Sequence, residues 1–178
     1  MISLPIPSLD GLTTDRLAFR RLVPEDVGWW MDYIASAEAI RFMPFTVGSR
    51  ADAEAMIRRS LDRTAADGSG LHAVLLREGA TPVGQVGLLT QEVDGVAELE
   101  VGYHLLPGQW GRGYATEAAV ACRRFAEAHR LAPTLISLID PDNHRSQAVA
   151  RRNGMAPEKR TVHRGAEALV FRTAPWGG

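Results

Sequence analysis

The stretch from Glu98 to Glu117, Glu-Leu-Glu-Val-Gly-Tyr-His-Leu-Leu-Pro-Gly-Gln-Trp-Gly-Arg-Gly-Tyr-Ala-Thr-Glu, changes character twice. Its first residues, through Leu105, read as a strand. Pro107 and Gly108 break that strand, Gly111-Arg112-Gly113 makes a glycine-rich turn, and an alanine-rich helix follows directly. A turn that runs straight into a helix N-terminus presents backbone N–H groups with no intrahelical acceptor, and the helix dipole adds partial positive charge there. Such an end suits phosphate. The surrounding residues point to the phosphate of a diffusible cofactor rather than of a nucleic acid.

On the N-terminal side, Leu17–Leu22 reads as a first strand after a proline-containing arm. Pro24-Glu25-Asp26 opens a helix, because proline and acids favour the first turn. Val27, Trp30, Met31 and Ile34 recur at helical spacing, and this aromatic stripe fits a core face better than a ligand platform. Ser49 is the expected N-cap of a second helix reaching Ala66, with Ala53, Met56, Ile57 and Leu61 on its apolar face and Asp67-Gly68-Ser69-Gly70 as its stop. The apolar segment Phe42-Met43-Pro44-Phe45-Thr46 between the helices either packs on the core or lines an acceptor site.

Strands are expected over His72–Arg77, Val83–Thr90 and Ala97–Leu105, forming an antiparallel meander with the first strand. A helix over Gly113–Leu131, a strand over Thr134–Ile139 in parallel with the strand before that helix, a short helix over Ser146–Arg152 and a final hairpin using Val162 and Ala168–Arg172 complete the plan. The expected fold is an α/β (α+β) three-layer one: a mixed, mostly antiparallel central sheet flanked by helices, in one domain over residues 1–178.

Composition narrows the function classes. A formal net charge of −1 gives no global field for nucleic acid or an anionic membrane. Lys159 is the only lysine against nineteen arginines, a bias that fits codon usage of a GC-rich genome or phosphate-binding arginines. The single cysteine, Cys122, forms no intrachain disulfide and no cysteine zinc cluster, and it falls within the apolar stripe of a helix, where a buried thiol is expected. His72, His104, His129, His144 and His163 show no metal-ligand spacing, so no metal is expected. No apolar run approaches the ~18 residues of a membrane span, and the N-terminus lacks a secretion pattern. A cytoplasmic setting is the expectation.

The glycine turn alone is weak evidence: two glycines can simply ease a tight turn. Gly111-x-Gly113-x-Ala115 lacks the third glycine and the early position of a dinucleotide fingerprint, and no Gly-Lys-Ser/Thr of a P-loop occurs. Three blocks together say more. Thr14-Asp15-Arg16-Leu17-Ala18-Phe19-Arg20 precedes Pro24-Glu25-Asp26. Glu100-Val101-Gly102-Tyr103-His104-Leu105 precedes Trp110-Gly111-Arg112-Gly113-Tyr114-Ala115-Thr116-Glu117-Ala118. Asn143-His144-Arg145-Ser146 precedes Val149 and Asn153-Gly154-Met155. In this order and spacing they resemble the GNAT acetyltransferases, specifically the branch similar to ribosomal-protein N-terminal acetyltransferases, over essentially the whole chain. Trp110 departs from the superfamily's usual Gln or Arg but is usual in that branch. Ala150 stands where many members carry a tyrosine general acid.

The resemblance implies transfer of an acetyl group from acetyl-CoA to an amine, with cofactor contacts from Leu105, Trp110, Gly111, Arg112, Gly113, Tyr114, Ala115, Thr116, Asn143 and Ser146. The diphosphate would rest on the amides of Gly111–Thr116, with Arg112 either pairing with phosphate or facing solvent. The pantetheine arm needs free backbone partners, which a parting of the Ala97–Leu105 strand from its parallel neighbour would supply. The Leu105 N–H is then the candidate to polarise the thioester carbonyl. Asn143 and Ser146 either contact the arm and the sulfur or cap a helix.

An α-amine with a pKa of about 7.8 is roughly one-tenth to one-fifth neutral at pH 7, a lysine about once in ~2,500 molecules. A mild base therefore suffices for an N-terminal amine. Glu100 is the first candidate and His104 the alternative, with a solvated strand residue as the bland reading of Glu100. A regular strand would put Glu98, Glu100 and His104 on one face, and a bulge would reorder them. The leaving thiol, with an intrinsic pKa near ~8.5, departs as thiolate without a strong acid, and Ser146 can donate a hydrogen bond to it. Direct attack is expected, with no acyl-enzyme on Cys122. Three readings stay open: acetylation of a protein N-terminal α-amine, acetylation of a small amine (antibiotic, polyamine or amino acid), and a non-catalytic CoA-binding regulatory module. The chain is expected to be a monomer or a homodimer.

Overall fold

The chain runs β1 (Leu17–Arg20), α1 (Val27–Ile34), α2 (Arg50–Asp67), β2 (Gly70–Leu76), β3 (Pro82–Val93), β4 (Val96–Leu105), α3 (Tyr114–Ala128), β5 (Ile136–Ile139), α4 (His144–Arg152), β6 (Met155–His163) and β7 (Ala166–Thr173) in the computed structural model, which describes residues 1–43 and 48–176. Pro44, Phe45 and Thr46 of the apolar segment lie outside the described residues.

The seven strands form one sheet in the order β1-β2-β3-β4-β5-β7-β6. Every pairing is antiparallel except β4 with β5, which is parallel. This is the mixed, mostly antiparallel sheet the sequence pattern implies. One face carries α3 and α4, where Ala118, Ala119, Cys122, Ala126 and Ala150 pack with Leu17, Phe19, Val74, Leu99 and Val101. The other face carries α1 and α2, where Trp30, Ile34, Ala53 and Ile57 pack with Leu71, Ala73 and Leu106. Alanines on α3 bring its backbone close to the sheet, which fixes where its N-terminus points.

Local signals explain the element ends. The Ser49 hydroxyl accepts the Asp52 N–H at 3.2 Å and the Asp52 carboxylate accepts the Ser49 N–H at 2.7 Å, a reciprocal cap for α2. Gly68 ends that helix at φ 81°, a left-handed conformation open to glycine. Before α1, the buried Asp26 carboxylate accepts from both Arg20 guanidinium nitrogens (2.8 and 2.7 Å), the Val23 N–H (2.9 Å) and the Trp29 indole N–H (2.7 Å). Burial alone would raise its pKa, but these donors outweigh burial and hold it below the usual carboxylate value.

The largest difference from the sequence expectation is β6, which spans Met155–His163 instead of starting near Val162. It is an edge strand with Glu158, Lys159 and Arg160 exposed, so it lacks the apolar alternation that marks a strand. Helix α4 begins at His144 rather than Ser146, because Asn143 is the cap: its side-chain oxygen accepts the Ser146 N–H at 3.1 Å. Helix α3 stops at Ala128 rather than Leu131, and Arg130 beyond it turns at φ 51°.

Candidate active site

Strands β4 and β5 are joined by a single parallel pair, Glu100 opposite Ile136. Continuing that ladder would set the Leu138 N–H on the Val101 carbonyl. Instead the Ser137 hydroxyl donates to the Val101 carbonyl at 2.9 Å, and the Leu138 N–H donates to the Glu100 carboxylate at 3.2 Å. Two side chains thus satisfy the backbone where the strands part, and the sheet opens into a V beyond them.

The orientation of Leu105 follows from register. Leu105 lies opposite Gly84 while the Leu106 N–H donates to the Val83 carbonyl at 2.9 Å, so Leu105 and Gly84 form a non-hydrogen-bonded pair. Val101, Tyr103 and Leu105 therefore aim their backbone groups away from β3, Val101 onto β5 and Tyr103 and Leu105 into the V. The Leu105 carbonyl is held there by the Trp110 indole N–H at 2.8 Å. The Leu105 N–H faces the opening as an oriented donor.

Trp110 also leads into the glycine turn. Gly111 at φ 74° and Gly113 at φ 81° bend the chain so that Gly113 becomes the N-cap of α3, with no side chain bonded to that end. The first intrahelical bond runs from the Glu117 N–H to the Gly113 carbonyl at 3.0 Å, which leaves the N–H groups of Tyr114, Ala115 and Thr116 without intrahelical partners. Both features open on one cleft of about 1460 Å³. Glu100, Leu105, Trp110, Gly111, Gly113, Tyr114, Ala115, Thr116, Asn143 and Ser146 all line it. Arg112 is the exception among the expected residues: it is exposed and outside the lining, and its carbonyl accepts from Arg16 at 3.0 Å. Asn143 spends its oxygen on the helix cap, and the Tyr103 hydroxyl reaches across from β4 to the Ser146 carbonyl at 2.8 Å.

The β3–β4 register is continuous, so no bulge reorders β4, and Glu98, Glu100, Gly102 and His104 share the face that carries α1 and α2. Glu98 is taken by Arg172, at 2.7 Å. Glu100 is 8% exposed. Burial pushes its carboxyl above the ordinary range, against the hydrogen bonds from Gln91 (2.6 Å) and the Leu138 N–H. His104 meets the Tyr33 hydroxyl through Nδ1 at 3.1 Å, and burial lowers its pKa to about 4, so the ring is neutral at pH 7. The lone thiol of Cys122, fully buried, is pushed up by burial and is inert as a nucleophile. Among the described residues no cluster of His, Cys, Asp and Glu could hold a metal ion.

Sequence reading left Arg16, Tyr33, Gln91, Ser137 and Arg145 without roles. Arg16 pairs with Glu117, Ser137 and Gln91 prop the parting of the strands, and Tyr33 orients His104. Arg145 lies over the Trp110 ring at 4.8 Å and pairs with Glu38 at 2.8 Å, tying α4 to the segment after α1. Arg16 and Arg145 carried a signal, each lying in one of the three blocks, but their partners Glu117 and Glu38 are far away in sequence.

Comparison with known proteins agrees with this geometry. The chain shares 32% identity with an acetyltransferase of Agrobacterium tumefaciens str. C58, whose crystal structure superposes with a TM-score of 0.75 over 94% of each chain. The uncharacterized protein YkkB of Bacillus subtilis strain 168 is 38% identical over 73 residues, a match spanning 41% of this chain and 42% of that protein. The ribosomal L7/L12 alpha-N-protein acetyltransferase RimL, solved in complex with coenzyme A, shares the fold at 13% identity, with a TM-score of 0.71 over 97% of this chain and 98% of the other. The model of the acetyltransferase (GNAT) domain matches residues 16–156, from the clamp at Arg16 to the start of β6, and the chain belongs to that family of acetyl-CoA-dependent N-acetyltransferases.

Proposed function

We propose that this enzyme acetylates protein N-terminal α-amines by direct attack on acetyl-CoA. The observation that carries the reading is the position of Glu100. One buried carboxylate with a raised pKa borders the V five residues before Leu105, on the strand that supplies the oriented Leu105 N–H. Of the other acids that line the cleft, Glu38 is paired with Arg145 and the Glu117 carboxylate with Arg16. Asp140 accepts the Asp142 N–H at 2.8 Å, and Asp142 has no cationic partner among the described residues, so at most these two neighbouring aspartates face a cationic acceptor. A single mild base suits an α-amine, which is already partly neutral at pH 7.

Acetyl-CoA supplies an activated thioester. The uncapped amides of Tyr114–Thr116 and the turn at Gly111–Gly113 receive the diphosphate, and the backbone of β4 along the V receives the pantetheine arm. The Leu105 N–H polarises the thioester carbonyl and stabilises the negative charge that develops on its oxygen. The amine nitrogen forms the new N–C bond as the C–S bond breaks. Glu100 takes the proton from nitrogen, directly or through water, and the sulfur leaves as thiolate with the Ser146 hydroxyl as hydrogen-bond donor. Ala150, fully buried in the core, offers no acid at its position, and a thiolate needs none.

The test is turnover of acetyl-CoA against three acceptor sets: peptides with free N-termini, the same peptides with blocked N-termini and an internal lysine, and small polyamines or aminoglycosides. Turnover confined to the free N-termini is expected. Turnover of the small amines alone would replace the acceptor, and CoA binding with no turnover of any amine would make the chain a regulatory module.

A further inference from the structure

The N-terminal arm reaches the phosphate end of the cleft through one side chain. The Arg16 guanidinium donates from Nε to the Glu117 carboxylate at 2.6 Å, and its Nη2 lies 2.6 Å from the same oxygen. Its Nη1 donates to the Arg112 carbonyl at 3.0 Å. The guanidinium plane lies over the Tyr114 ring, 4.6 Å from the centroid. A Cβ built on Gly113 would have Arg16 Nη2 as its only neighbour within 4 Å. The backbone N–H of Arg16 (3.0 Å) and the hydroxyl of Thr14 (2.6 Å) both donate to the other oxygen of Glu117. Arg16 therefore touches Arg112, Tyr114 and Glu117 and flanks Gly113.

The charge pattern gives this clamp a purpose. Glu117 stands in the first turn of α3, and its side chain is 18% exposed. A carboxylate there is favourable to the bare helix dipole but repels a diphosphate seated on the same turn. Arg16, 48% exposed at its side chain, cancels that charge and leaves cationic surface beside the amides.

We propose that Arg16 is a positioning residue that sets the affinity for acetyl-CoA, by neutralising Glu117 and holding the Arg112 carbonyl turned away from the diphosphate. This rests on the reading that the diphosphate lies on Gly111–Thr116. Arg16 touches no reacting atom, so its effect falls on cofactor binding and not on the chemical step.

The experiment compares wild type, Arg16→Gln, Glu117→Gln and the double variant by calorimetric CoA binding and by steady-state kinetics with acetyl-CoA varied. Arg16→Gln is expected to raise Kd for CoA and KM for acetyl-CoA roughly tenfold, with kcat within about twofold of wild type. Adding Glu117→Gln should recover most of that loss, because the uncompensated carboxylate is gone. Glu117→Gln alone should bind CoA at least as tightly as wild type, a measurement that decides the matter if Arg16→Gln fails to fold. Unchanged CoA affinity in a folded Arg16→Gln, a double variant no tighter than Arg16→Gln, or weaker binding by Glu117→Gln overturns the inference. Failure of the wild type itself to bind CoA would instead overturn the placement of the diphosphate.

Discussion

In the proposed mechanism Glu100 has two tasks that pull its chemistry in different directions. As a prop it accepts the Leu138 N–H that the ladder gave up, and as a base it needs a free lone pair and an ionised carboxyl. Its raised pKa serves the second task, since a stronger base takes a proton from nitrogen more readily. Glu100→Gln should lower kcat/KM about a hundredfold at pH values below the pKa of the amine, with the deficit shrinking above it; an unchanged pH–rate profile would remove Glu100 from proton transfer. His104 behaves differently. With its pKa lowered to about 4, it gives no activity limb between pH 5 and 8, so an acid limb in that range belongs to Glu100 or to the amine. The rate loss caused by His104→Gln should therefore be constant over that range, as pH–rate profiles of the two enzymes would check. Both residues were legible as candidates because strand alternation puts them on one face. Tyr33 was not, since its contact with His104 spans 71 residues of chain.

At the scale of elements, the glycine turn shows what pattern can and cannot say. The spacing of Gly111 and Gly113 marks a tight approach to a helix start, and both residues do adopt positive φ. The reason Gly113 is required is conformational rather than spatial, since a Cβ there would meet nothing closer than Arg16 Nη2 at 3.5 Å. Gly113→Ala should cost roughly 1–2 kcal/mol of stability from its left-handed conformation, readable as a lower midpoint in urea unfolding. Gly113→Asp should add a like charge beside the diphosphate and abolish CoA binding in calorimetry. Helix α3, with its alanine stripe, and the meander β2–β3–β4 were legible because burial imposes a period on them. Strand β6 was not, because an edge strand facing solvent is free to carry Glu158, Lys159 and Arg160. The parting of β4 from β5 was inferable only as a need of the cofactor; the props Ser137 and Gln91 have no sequence signature, as any buried polar residue can fill such a place.

For the whole molecule, the titrating groups fix how stability follows pH. His104 is lowered by burial, and so are His72 and His163, though less. For a histidine whose folded pKa lies below its unfolded value near ~6.5, the unfolded chain binds the extra proton, so stability falls as pH drops from about 6.5 toward the folded pKa. For His104 that window runs down to about 4. Asp26 has the opposite origin and the same consequence: its folded pKa lies below the unfolded value, so its contribution is present above about 4 and is lost as pH falls further. Glu100, raised by burial, works against the histidines, since the folded chain takes up its proton first as pH falls. The change in stability from pH 7 to pH 4 in urea unfolding should therefore shift toward higher stability at the acid end in His104→Gln relative to wild type. Asp26→Asn should cost on the order of 1–2 kcal/mol at pH 7, because the buried side chain gives up its charge-assisted bonds while the partly exposed Arg20 guanidinium can turn to water.

The two parts of the seven-strand sheet share a single backbone rung, braced by the Arg172–Glu98 ion pair and the bonds of Ser137 and Leu138. On one side of Glu100 and Ile136 lies a four-strand meander, and on the other a three-strand unit built from the last third of the chain. A backbone seam that narrow is the weakest join of the sheet, so the opening of the V is where the two blocks are expected to come apart most cheaply. Amide exchange by mass spectrometry should find β5, β7 and β6 relaxing as a unit ahead of β2 and β3, and a ligand lying in the opening would act as a splint, slowing that relaxation without touching most of the strands it protects.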